Sequence, residues 1–241
     1  MGSPRMTEIL VNYMRKQTQW TIEGKMERHD QLAAERFDDW SKTYGEDRIS
    51  SWFRFYQSLA MSKLEIAEGE GFLDVGCGTG WAVREAAKRL RSGKACGIDI
   101  SPKMIEKASA QTSKLSNIEF RVATAEAIPY PDECLSSILC TSSFHHYQNP
   151  LRALSEMKRV MKQGGKLVIL DSARDISFPI WLQDRFRRYF ERSHVQYYTT
   201  NEMKALVRQA QLRLVGEIIT IKKFMDHKKI FTGLMLIQCG K

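Results

Sequence analysis

Residues 72–86 read FLDVGCGTGWAVREA: an apolar run, glycines at 76, 78 and 80, then a pattern that sets Val83, Ala86, Ala87 and, one turn on, Leu90 along one helix face. Strand, tight turn and helix in that order open the repeating unit of a parallel α/β sheet, whose ligands sit beyond the carboxyl ends of the strands. The glycine turn is therefore where a ligand is expected. A dinucleotide fingerprint would carry its third glycine at position 81, which is Trp81, and a P-loop would continue as Gly-Lys-Ser/Thr, which is absent. Without a Cβ at Gly76 and Gly78 a ligand can lie directly on the backbone, and the free N–H groups of the next helix suit a carboxylate.

The alternation continues outward from this unit. ACGIDI (95–100) is a second strand pattern, closed by Ser101 as N-cap and Pro102 at the first position of a helix that runs to about residue 115. IEFRVA (118–123) and LSSILCTS (135–142) are the third and fourth strands. A helix over 149–164 follows, with Leu151, Leu154, Met157 and Met161 in one stripe and Gly164 ending it, and KLVILDS (166–172) is the fifth strand. Thr199 and Glu202 form a capping box before another helix. The chain closes with two strand patterns, 212–221 and 230–239, around the turn region KKFMDHKK. The expected fold is α/β: a doubly wound, seven-stranded, mostly parallel sheet with an antiparallel last strand. Residues 1–70 read as a helical N-terminal lid, and 71–241 as the sheet domain with an insertion at about 173–198.

At the end of the second strand, Asp99 can accept from both hydroxyls of a ribose lying across the crevice. A ligand with a ribose and a carboxylate, and no required pyrophosphate, is described by these features. S-adenosylmethionine fits.

Composition narrows the remaining classes. At 241 residues the chain suffices for one such domain with an added flap. Its 43% hydrophobic and 27% charged residues are ordinary for a globular protein. No apolar run approaches the roughly 18 residues of a membrane span, and the opening MGSPRMTEIL lacks a signal-peptide hydrophobic region. The five cysteines are odd in number and form no C-x-x-C pair, so packing thiols in a cytoplasmic protein are expected, and no metal site. The net charge of +9 is concentrated: residues 134–241 hold 18 Lys+Arg against 8 Asp+Glu.

Residues 71–172 resemble the class I S-adenosylmethionine-dependent methyltransferases, through LDVGCGTG (73–80), GIDIS (97–101), ATAEAIPYPDE (123–133) and MKQGGKLVILD (161–171) in order. The ubiquinone and menaquinone biosynthesis C-methyltransferases are similar in a further respect, since FDDWSKTYGED (37–47) resembles the segment that precedes their core. The resemblance implies a Rossmann-like methyltransferase domain with S-adenosyl-L-methionine as cofactor and S-adenosyl-L-homocysteine as product. It places Asp74, Gly76 and Gly78 around the methionine part, Asp99 at the ribose, Ile100 and Met104 on the adenine faces, Ala125 and Glu126 at the adenine edge, and Tyr44 at the pocket closure. The chain departs from the family pattern at Thr124, where Asp is usual, and at Leu135-Ser136, where Phe-Asp is frequent.

Methyl transfer needs alignment and exclusion of water, with a base only where the nucleophile must lose a proton. TSSFHHYQNP, after the fourth strand, offers His145 and His146 where the acceptor should approach, and Asp171 ends the fifth strand on the same side. That segment lacks the [DNS]-P-P-[YF] tetrapeptide of base-amine methyltransferases, and Cys140 follows Leu139 where RNA cytosine-5 enzymes commonly have proline. A small-molecule or lipid-like acceptor is expected, with nucleic acid less favoured; the alternative is an RNA or protein methyltransferase, or a cofactor-binding partner subunit without chemistry of its own. The basic runs at 185–192 and 222–229 are expected to converge at the acceptor entrance and to meet an anionic molecule or an anionic membrane surface, which would make the protein peripheral there.

Overall fold

A strand buried on both faces needs apolar side chains on both, and this chain supplies them by alternation. In β1 (Gly71–Val75) Phe72 enters one core and Leu73 and Val75 the other. In β4 (Leu135–Thr141) Leu139 opposes Ile138, and in β5 (Met161–Ser172) Val168 and Leu170 oppose Leu167 and Ile169. The computed structural model of the chain describes residues 28–42, 48–90, 92–112, 115–191, 193–222, 224–226, 229–231 and 233–241.

With β2 (Lys94–Asp99) and β3 (Ile118–Val122), the parallel strands run in the order β3-β2-β1-β4-β5. The last strand, β10 (Leu234–Gly240), lies antiparallel to β5. One face is covered by α2 (Arg48–Met61) and α3 (Trp81–Leu90), whose Ala82, Val83, Ala86, Ala87 and Leu90 are all buried. On the other face lie α5 (Pro150–Val160) and α7 (Thr200–Gln209). Beside β3 lies α4 (Pro102–Ala110), begun by Ser101, whose hydroxyl accepts from the Met104 N–H at 3.1 Å. Thr199 and Glu202 make the expected reciprocal cap of α7. The doubly wound sheet with its antiparallel last strand is as the sequence predicts.

Four details differ. The expected sixth strand is two short pieces, β6 (Arg213–Leu214) and β7 (Ile219–Ile221), both paired with β10 and separated by Gly216 at φ +71°. The turn region is itself a hairpin of β8 (Phe224–Asp226) and β9 (Lys229–Phe231), so the last sheet strand begins at Leu234. Helix α4 stops at Ala110, well short of residue 115. Helix α5 stops at Val160, because Met161 already pairs with Leu135 and residues 162–165 form an irregular start to β5, with Gly164 at φ +74°. Sheet pairing there outweighs a helical stripe that ends in two glycines.

Residues 28–41 form a helix, α1, which with α2 accounts for the described part of the expected lid. Cys77, Cys96, Cys140 and Cys239 are buried, Cys134 is half-buried, and all five are free thiols. No described helix is long and apolar enough to cross a membrane.

Candidate active site

From β1 the chain passes to β2 on one side, while β4 lies on the other, so the carboxyl ends of β1 and β4 flank the crevice where the winding reverses. A cleft of about 870 Å³, counting its open mouth, lies there. Its walls come from the ends of all four of β1, β2, β3 and β4, and α1 and α2 cover it.

The glycine turn is held in shape by the backbone. The N–H groups of Gly76 and Cys77 both donate to the Ile98 carbonyl at 2.9 Å, tying the loop to β2. Gly76 sits at φ +77°, and a Cβ there would fall 2.6 Å from the Ser143 side chain. Gly80, at φ +74°, lies against the Phe120 ring, where a Cβ would be 2.4 Å from Cζ. Gly76 and Gly78 line the cleft and Gly80 does not, so the third glycine serves packing.

Asp99 reaches the cleft wall and accepts from the Gly78 N–H at 2.8 Å through one oxygen and from the Ser101 N–H at 2.9 Å through the other. Burial raises its carboxyl to about 6, against the pull of those N–H donors. Each oxygen still has a lone pair to offer a hydroxyl. Ile100 and Met104 line the wall beside it, and Ala123, Thr124, Ala125 and Glu126 line the next. Glu126 accepts from the Asn149 N–H at 3.4 Å, and burial raises its carboxyl above the usual range.

Asp74 lies beneath the turn and is absent from the cleft lining. It is fully buried, neither oxygen has a hydrogen-bond partner, and burial followed by the neighbouring Asp99 raises its carboxyl to about 8. A cationic group brought to the turn by a ligand would favour its carboxylate form. A ligand that combines a ribose diol, a carboxylate and positive charge fits these donors and acceptors, and S-adenosylmethionine is such a molecule.

The two histidines part company. His146 lines the cleft, and its Nδ1 donates to the Ser193 carbonyl, which leaves the lone pair on Nε2. Burial first, and then His145, hold its pKa well below 6.5, so the ring is neutral. His145 turns away into the protein, where Nδ1 faces both oxygens of Asp171 at 2.8 and 3.0 Å. Asp171 also accepts the His145 N–H at 3.1 Å and so pins the short turn Phe144–His146 to the end of β5.

Helix α1 closes the cleft through contacts that sequence reasoning missed. Asp38 accepts from the Ser101 hydroxyl and from the Lys103 N–H at 3.1 Å, so it caps α4 from outside. The Lys107 ammonium donates to the Ser41 carbonyl. The Arg36 guanidinium pairs with Glu191 and donates to the Ser193 hydroxyl at 2.6 Å. Phe37 meets His146 edge to face at 5.1 Å. Ser143 and Tyr147 were also missed; both line the cleft, their hydroxyls are 2.9 Å apart, and Ser143 donates to the Val75 carbonyl at 3.1 Å. Phe37 and Asp38 stand in the quoted FDDW segment, which was the available signal. Tyr44 lies outside the described residues.

The chain is similar to known proteins in sequence and in fold. Residues 73–169 match the family described as a methyltransferase domain. A ubiquinone/menaquinone biosynthesis C-methyltransferase from Geotalea daltonii is 36% identical over 133 residues, covering 54% of this chain and 54% of that protein. The Bacillus subtilis methyltransferase YcgJ is 29% identical over 143 residues, covering 58% of this chain and 56% of its own. The chain thus spans about half the length of these curated relatives. The crystal structure of YcgJ superposes with a TM-score of 0.65 at 21% identity, covering 78% of this chain and 98% of that one. The methyltransferase in complex with the Haloferax volcanii Trm112 activator superposes with a TM-score of 0.71 at 19% identity, covering 85% and 96%. Over residues 73–169 the chain is thus similar to methyltransferase domains, and its fold is the one these methyltransferase structures share.

Proposed function

We infer that the chain transfers a methyl group from S-adenosylmethionine to a small-molecule or lipid-like acceptor held between the glycine turn and His146. The observation that carries this reading is the continuity of the cleft, which runs from Asp99 and Gly78 past Gly76 to His146 under α1 and α2. When bound, the cofactor supplies a methyl already activated by the sulfonium charge. Gly76 and Gly78 frame its methionine part, with Asp74 beneath them, Asp99 its ribose, Ile100 and Met104 its adenine faces, and Ala125, Glu126 and Thr124 the adenine edge. The aromatic lining by Phe37, Trp40, Phe53 and Tyr147 excludes water and suits a planar, apolar acceptor. The similarity to a quinone C-methyltransferase points the same way. The deciding experiment is release of S-adenosylhomocysteine with quinone-like acceptors. Cofactor binding without turnover on any acceptor would leave a binding subunit, and turnover on RNA or protein alone would replace the acceptor class.

Neutral His146, its Nδ1 proton committed to Ser193, can take an acceptor proton at Nε2. His146→Gln is expected to lower kcat at least a hundred-fold and leave S-adenosylhomocysteine affinity within a few-fold. With saturating cofactor the wild-type rate should fall on the acid side, well below 6.5, where His146 gains its proton. A loss under tenfold would reduce His146 to a shaping role.

Residues 28–42 act as a lid in this reading. Trypsin cleavage after Arg28, Arg36 or Lys42 is expected to slow several-fold with saturating S-adenosylhomocysteine, and Asp38→Ala should reverse part of that protection. Equal rates with and without ligand would remove the lid.

A further inference from the structure

One helix is turned inside out. In α6 (Phe178–Phe190) apolar residues recur at 178, 181, 182, 186, 189 and 190, the spacing of a single face, which in most helices is the packed one. Here that face is open to solvent: Phe178 is 70% exposed, Phe186 61%, Tyr189 84% and Phe190 65%. The inward anchor is polar instead. Asp184 is buried, accepts from His194 Nε2 at 2.9 Å and from the Tyr197 N–H, and pairs with Arg188. A helix anchored by a carboxylate, with an aromatic stripe left outside, is not held by hydrophobic burial in the monomer.

We propose that the outer face of α6 docks the protein on an anionic lipid bilayer. Exposed Arg185 and Arg188 accompany the aromatic stripe, and residues 134–241 carry 18 basic against 8 acidic residues, so an anionic surface is the complementary one. Trp, Tyr and Phe over Arg is the composition that lies flat at a headgroup boundary. The hairpin β8–β9 emerges beside the start of α6: Gly233 abuts Ile180 and Ser177, and the exposed Lys222 adds charge at that end. The other end of α6 leads directly into Glu191 and Ser193, which hold Arg36 of α1 and His146 of the cleft. The docking face therefore adjoins the covering helix at the acceptor end. This rests on the lipid-like acceptor reading, since a membrane-dissolved acceptor would enter from that side.

The test is sedimentation of the full chain with phosphatidylcholine vesicles and with vesicles containing 30% phosphatidylglycerol, with S-adenosylhomocysteine affinity measured on each protein sample. Binding to the anionic vesicles alone, weakened at least tenfold by Phe186→Ser/Phe190→Ser and several-fold by Arg185→Glu or by high salt, is the expected result. Brominated lipids should quench tryptophan fluorescence in the wild type, and Trp181→Phe should remove most of that quenching while binding persists. No binding to either vesicle by protein that still binds S-adenosylhomocysteine overturns the proposal and leaves the methyltransferase reading intact. So does a self-association that Phe186→Ser/Phe190→Ser abolishes, because the face would then belong to a second copy, or release from vesicles by equimolar RNA at low salt. Loss of cofactor affinity in the wild type itself would instead strike the methyltransferase reading.

Discussion

Asp99→Ala is expected to weaken S-adenosylhomocysteine binding by roughly ten- to a hundred-fold, the size of losing charge-assisted hydrogen bonds of about 1.5–3 kcal/mol. Asp99 accepts from the Gly78 and Ser101 N–H groups, so the alanine also releases the glycine turn from the helix that follows β2. Asp99→Asn keeps the shape and one acceptor oxygen but sets its NH2 against one of those two N–H donors, so it should recover only part of the affinity. Calorimetry at neutral pH reads both variants directly. Equal affinity in wild type and alanine variant would remove Asp99 from the cofactor site.

The second large effect concerns Asp74. Its carboxyl, raised to about 8 by burial and by Asp99, takes up a proton in the folded protein that the unfolded chain, with its ordinary value near 3.8, releases. The folded state therefore binds the extra proton between about 4 and 8, and stability falls as pH rises through that window. Asp74→Asn removes the ionisable group, so its benefit should be small at pH 5 and largest above pH 8. At about 1.4 kcal/mol per pKa unit the difference amounts to a few kcal/mol, which is several degrees in melting temperature for a chain of this size. Thermal melts of the ligand-free protein across that range are the measurement, and parallel curves for the two proteins would show that Asp74 is ionised or paired throughout. Under the proposed function a bound ammonium favours the carboxylate. Cofactor binding near pH 7 should then release a proton in the wild type and none in the variant, as read by calorimetry in buffers of different ionisation enthalpy.

The sheet was legible because its signals are local. Alternation in β1, β4 and β5 assigns two buried faces without knowledge of the partners, and Ser101-Pro102 and Thr199-Glu202 mark helix starts by chemistry that acts within one turn. Where the reading failed, a distant strand or a glycine conformation decided. Met161 left its helical stripe because Leu135 pairs with it, and the last strand lost its first residues to the β8–β9 hairpin.

The sequence by itself determined the glycine turn, the acid at the end of β2 and hence the cofactor class, since these lie within 30 residues and depend on backbone shape that only glycine permits. Tertiary structure alone decided which histidine faces the cleft. His145 and His146 are adjacent and chemically identical, and the choice is made by Asp171 at the end of β5 and the carbonyl of Ser193, groups 26 and 47 residues away. It also decided that Asp38 caps α4 across 65 residues and that the aromatic face of α6 points outward. A helical stripe states that one face is apolar, and what that face meets depends on every element packed around it. In α6 the buried Asp184, held by His194 and Tyr197, had already claimed the inward side.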